Sequence, residues 1–194
     1  MNARMRDAAP RDVLVVGLGN ILLGDDGLGV RALEALQRRW RFADAVTTLD
    51  GGTGGLDLLD WFRGRDLVIV IDALRMGQTP GTVSRLAGEE VPACFRALVS
   101  PHELGLPELL ATLELLDAAP AEVVVIGVEP AATAPPLVLS PVVAAQLRTV
   151  VDLVVAELER AGLSCTPIPP GAHVRPPVDA QHPAFTGLFP ALSM

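Results

Sequence analysis

Two uninterrupted apolar runs, "LVIVI" at Leu67–Ile71 and "VVVIGV" at Val123–Val128, constrain this chain more than any other feature. A strand that faces water on one side alternates apolar and polar residues, whereas these runs do not alternate, so both of their faces must be covered. A third run, "DVLVVGLGN", ends in a glycine turn and is followed by "DDGLGVRALEALQRRW", in which Val30, Leu33, Leu36 and Trp40 recur at helical spacing. "AVTTLD" predicts a strand ending at Asp50, "LDLLDWF" a short amphipathic helix, and "GTVSRL" a short edge strand. "SPVVAAQL" opens a long last helix with Ser140 as N-cap and Pro141 in the first turn, closed by Gly162. Buried strands alternating with helices predict an α/β fold: a three-layer α/β/α sandwich with a twisted, mostly parallel sheet. Ligands of such sheets collect at the carboxyl ends of the strands.

The chain has 194 residues, half of them hydrophobic, which suits one core. Residues 1–162 are expected to form the domain. Residues 163–194 carry seven prolines and are expected to be an irregular tail, in which His173 and His182 are read as solvated. The net charge is −8 and all 15 basic residues are arginines without a basic run, which argues against nucleic acid as a partner. Cys94 and Cys165 are far apart and form no thiolate metal motif. The polar N-terminus lacks the apolar core of a signal peptide and no run reaches the ~18 apolar residues of a membrane span, so a cytoplasmic protein without membrane insertion is expected.

Acids stand where the strands end. Asp26 follows the first strand, Asp50 ends the second and Asp72 ends "LVIVID", and a right-handed parallel arrangement brings all three to one edge. The loop "GLGNILLGDDGLG" departs from a dinucleotide fingerprint, because Leu22 holds the third glycine position and Asp25 and Asp26 would repel a pyrophosphate. In "SPHELGLPELL", Ser100, Pro101 and Glu103 form a capping-box pattern that puts His102 in a first helical turn, where the dipole favours neutral imidazole, the metal-binding form. Two carboxylates and an imidazole suit a divalent transition metal with open positions, nickel and zinc both being acceptable, and hydrolysis is the natural chemistry. No serine or cysteine lies in a nucleophile motif.

The motifs "GLGNILLGDDGLG", "LDGGTGGLDLL", "VIVIDAL", "SPHELGL" and "VVVIGVEP", in this order between Val13 and Gly162, resemble those of the hydrogenase maturation proteases. The resemblance implies a phosphorylase/hydrolase-like sandwich and an endopeptidase that removes a short C-terminal peptide from the nickel-loaded large-subunit precursor of a nickel-iron hydrogenase. It places the metal-contacting, catalytic positions on Asp26, Asp72 and His102, with nickel carried by the substrate. Asp50, Gly51, Gly52, Thr53 and Glu129 are candidates for positioning the substrate, a turn-stabilising role standing beside that one for Asp50, Thr53 and Glu129. Asp25 is expected to cap or orient. Two other readings remain at this point: a nucleotide-binding regulatory domain using "GLGN" and Asp50, and a nickel chaperone without peptidase activity.

Overall fold

The computed structural model describes residues 11–92, 105–131 and 137–169. In chain order the elements are β1 (Val13–Leu18), α1 (Leu28–Arg39), β2 (Trp40–Phe42), β3 (Val46–Gly52), α2 (Leu59–Phe62), β4 (Leu67–Ala73), β5 (Val83–Ala87), α3 (Gly105–Leu115), β6 (Val123–Val128), α4 (Pro141–Ala144), α5 (Leu147–Arg160) and β7 (Cys165–Pro167). Short 3₁₀ turns at Gly24–Gly27 and Gly55–Leu58 lead into α1 and α2.

The main sheet has the order β3-β1-β4-β6-β5. Its first four strands run parallel and β5 closes the edge antiparallel to β6. Alternation along each strand divides the apolar residues between two cores. Val13 and Val15 of β1, with Ile69 and Ile71 of β4 and Ile126 of β6, meet Leu33 and Leu36 of α1 and Val150, Val154 and Leu158 of α5 on one face. Leu14 and Val16, with Val68, Val70 and Val125, meet Phe62 of α2 and Leu109 and Leu113 of α3 on the other. Both faces are therefore dry, and the result is the three-layer sandwich expected from the unalternating runs.

Several local expectations change. The long last helix is broken after Ala144, where the Gln146 N–H turns back to Val143 O before α5 begins at Leu147. Ser140 is the N-cap residue of α4, yet its hydroxyl does not cap; it donates to the Asp25 carboxylate. Trp40 leaves α1 for extended backbone (φ −133°, ψ 144°) and opens β2. β3 continues past Asp50 to Gly52.

The segment after Gly162 does not leave the domain at once. Leu163 is 8% exposed within the α1/α5 core, and β7 pairs antiparallel with β2, Phe42 opposite Cys165 and Trp40 opposite Pro167. The irregular-tail expectation is thus corrected for Leu163–Pro167, while 170–194, with His173 and His182, lie outside the described residues. Cys165 is a free, half-buried thiol whose pKa is raised, first by burial and then by the charge of Glu159. Cys94 lies outside the described residues.

Candidate active site

Gly17 of β1 stands in register with Asp50 of β3 on one side and Ile71 of β4 on the other. The loops leaving these strands therefore emerge side by side. The loop after β1 is wound tightly on itself: the Asn20 side-chain oxygen accepts from Leu22 N (2.9 Å), Leu23 N donates to Asn20 O (3.0 Å) and Asp26 N to Leu23 O (3.2 Å). Gly19 makes this possible, with φ +113° and a site where any Cβ would lie 1.7 Å from the Asp26 carbonyl oxygen.

Asp26 faces a cleft of about 200 Å³ whose other walls come from the ends of β3 and β4 and the start of α3. Asp72, the last acid of β4, lines the same cleft, as do Gly52, Thr53, Arg75 and Gly105. One Asp26 oxygen accepts from Asn20 N at 2.9 Å, and the other lies 3.9 Å from the Arg75 guanidinium. An oxygen of Asp72 lies 2.7 Å from the Ala73 N–H. Two carboxylates thus share an open, glycine-walled cleft with an arginine at its rim.

The neighbouring acid does something else. Asp25 is 6% exposed and accepts three hydrogen bonds, from Ser140 N (2.6 Å), Ser140 Oγ (2.8 Å) and Ala131 N (2.9 Å). It orients without capping, fastening the β1 loop to the chain on either side of the segment 132–136. Glu129, also buried, plays the corresponding part for the loop after β4: its Oε2 accepts from Met76 N (2.8 Å) and Gln78 N (3.1 Å). Both loops are therefore tied to Glu129–Ala131, the exit of β6, and Arg75 is held on one of them.

Of the residues expected to position substrate, Gly52 and Thr53 line the cleft. Asp50, Gly51 and Glu129 are not among its lining residues: Asp50 accepts from Gly52 N at 3.0 Å as a turn former, Gly51 is buried, and Glu129 faces the loop amides. His102 lies outside the described residues; Gly105, three positions on, lines the cleft. Arg75 was not singled out by sequence reasoning, although an arginine three residues beyond a strand-terminal acid was the available signal.

A phosphate-binding loop offers unpaired amides to its ligand. Here Gly19 N donates to Gly52 O, Asn20 N to Asp26, Leu22 N to the Asn20 side chain and Leu23 N to Asn20 O. These four amides are committed to the protein, which argues against the nucleotide-binding reading. Among the described residues no group of three His, Cys, Asp or Glu side chains gathers as a metal cage. Two carboxylates are too few donors to retain a divalent ion by themselves, but they suit the open positions of an ion presented by another molecule.

Comparison with known proteins supplies the family. Residues 30–157 match the family model described as hydrogenase maturation protease. Hydrogenase 2 maturation protease of Escherichia coli strain K12 is 40% identical over 156 residues, covering 80% of this chain and 95% of the relative. HupD, a hydrogenase expression/formation protein of Thiocapsa roseopersicina, is 44% identical over 61% of this chain and 54% of its own length. Among solved structures, the hydrogenase maturating endopeptidase HybD from E. coli aligns with a TM-score of 0.76 at 40% identity, over 80% of this chain and 96% of that one. A [NiFe] hydrogenase maturation protease, HybD from Thermococcus kodakarensis, aligns with a TM-score of 0.60 at 28% identity, over 75% of this chain and 97% of that one.

Proposed function

The chain belongs to the hydrogenase maturation protease family and is an endopeptidase, and on that premise we propose how its cleft works on its substrate. The enzyme removes a short C-terminal peptide from the nickel-loaded large-subunit precursor of a nickel-iron hydrogenase. Asp26, Asp72 and His102 contact the nickel carried by that precursor. The observation that carries this reading is that Asp26 and Asp72, 46 positions apart in sequence, line one cleft at the carboxyl ends of β1 and β4. His102 precedes the cleft-lining start of α3 by three residues, which supports including it.

In this mechanism the ion is part of the substrate. It fixes the precursor tail across Gly52–Gly55, where the three glycines Gly52, Gly54 and Gly55 let an extended peptide approach the protein backbone beside Thr53. Water attacks the scissile amide directly, its oxygen joining the carbonyl carbon as the C–N bond breaks and a proton passes to the released amine. The lack of a serine or cysteine in a nucleophile motif of the sequence supports this over a covalent intermediate. Arg75, beside Asp26, orients that carboxylate and offsets the charge that two acids bring to one site. The chaperone reading needs firm metal retention by the protein alone, which three ligands with open positions do not supply. No described helix is long and apolar enough to cross a membrane, and we assign the reaction to the cytoplasm.

The test is the intact mass of the large-subunit precursor, with and without nickel, before and after incubation with the enzyme. The expected result is loss of one discrete C-terminal peptide from the nickel-loaded form only, with a fall of about 100-fold or more in rate for Asp26→Asn and Asp72→Asn. An unchanged mass for a folded, nickel-loaded precursor would overturn the reading.

A further inference from the structure

Ile21, Leu22 and Leu23 are three consecutive large aliphatic residues, and they are 41%, 61% and 54% exposed. A flexible loop would fold such side chains inward, but this one is held by the Asn20 and Asp26 hydrogen bonds and folds back so closely that a Cβ on Gly27 would lie 2.8 Å from Ile21 Cα. The aliphatic groups are thus presented by a rigid turn. The Asp25 clamp ties the end of this turn to a second such segment. Through Ser140, three residues from Leu137 and two from Val142, it brings in Leu137, Val138 and Val142, which are 61%, 62% and 40% exposed.

The two segments, 20–23 and 137–144, contain no ionisable side chain in a chain of net charge −8. Gly19 and Asp26, which bracket the first segment, both line the cleft, so the apolar turn 20–23 leaves and rejoins the chain at the cleft wall. Clustered exposed aliphatic residues on a rigid frame mark an interaction surface, since isolated ones are ordinary and contiguous ones are not. Position selects the occupant: whatever sits on a rim rooted at the cleft wall can feed a chain terminus past Asp26, whereas a second copy seated there would obstruct the entrance.

We propose that this uncharged aliphatic rim, Ile21–Leu23 with Leu137, Val138 and Val142, is the docking surface for the hydrogenase large-subunit precursor, and that it takes an apolar, uncharged face of the folded partner. The proposal rests on the protease reading above. Docking at the rim contributes equally to ground state and transition state, so it governs KM and leaves the chemical step alone.

Steady-state cleavage of nickel-loaded precursor by the full-length enzyme tests it, with Leu22→Ser/Leu23→Ser as the first variant and Leu137→Ser as the second. Thermal melting accompanies both; the exposed positions predict unchanged melting, and Leu137→Ser keeps the test usable should the turn be disturbed. The expected result is a KM at least about tenfold higher for the double variant and raised to a lesser extent for Leu137→Ser, with kcat within about twofold of the parent. An unchanged KM in folded variants, or a fall confined to kcat, would overturn the docking surface while leaving the protease reading intact. A wild-type dimer in sedimentation that the double variant dissolves would also overturn it, giving the rim to a second copy. Failure of the wild-type enzyme to cleave would remove the protease reading first, and the docking proposal with it.

Discussion

Asp25 and Glu157 are both buried acids, 6% and 3% exposed, and the protein accommodates them in opposite ways. Asp25 is surrounded by neutral donors, two backbone amides and a serine hydroxyl. Glu157, on α5, is held by two guanidinium groups, Arg85 from β5 and Arg160 one turn along its own helix. For Glu157 burial is the largest single influence and opposes ionisation, yet the hydrogen bonds and charges of both arginines together hold its carboxyl below the usual value. Arg85 is raised in turn, chiefly by its hydrogen bond to Glu157. The difference teaches what each anchor can hold. A pair of side chains ties a helix to a strand and tolerates some play, whereas a carboxylate bonded to main-chain amides fixes the backbone itself, and the backbone is what carries Asp26.

The sharpest way to break this comparison is Asp25→Asn. The change is isosteric, but in either orientation its NH2 group meets a backbone N–H, of Ser140 on one side or of Ala131 on the other, so we expect a loss of roughly 2–4 kcal/mol in chemical denaturation together with reduced cleavage. A loss under about 0.5 kcal/mol would show that the clamp holds nothing.

Arg85→Ala leaves Glu157 with one partner and should cost about 1–3 kcal/mol, less than stripping a buried carboxylate of every cation. This site also carries a pH signature. Because the folded pKa of Glu157 is lowered from the ordinary 4.5, its contribution is complete above that value and is lost as pH falls through the folded pKa. Stability profiles of the parent and Glu157→Gln should therefore converge as pH falls below 4.5, and parallel profiles would contradict the ion-pair account. The smallest effect belongs to Arg160→Ala. Its side chain is 62% exposed and solvent-screened, so the loss should be about 0.5 kcal/mol.

The same contrast explains what could be read from the sequence. The layered fold was legible because "LVIVI" and "VVVIGV" admit no solvent face, and Asp26 and Asp72 stood out as acids at the ends of strands. The β2/β7 pair was not legible: each strand has three residues, too few for a period, and Pro167 argues locally against pairing that only the distant Trp40 makes possible. Orienting and turn-stabilising roles were expected for Asp25 and Glu129, but what they hold was hidden for a related reason. Their partners are amides of Ala131, Ser140, Met76 and Gln78, and a backbone N–H has no residue type to betray it. Asp50 shows the converse, a conspicuous strand-end acid whose oxygen is used by its own turn.

Gly29, in the first turn of α1, has a consequence for how this site can vary. A Cβ there would lie 2.1 Å from the carbonyl oxygen of Ile71 and 2.3 Å from that of Leu18. The helix that follows Asp26 thus rests directly on the main chain of the strand that carries Asp72, with no side chain as a spacer. The span between the two acids is therefore quantised: trimming or enlarging core residues cannot adjust it by fractions of an ångström, and a single added methyl would force the two elements apart.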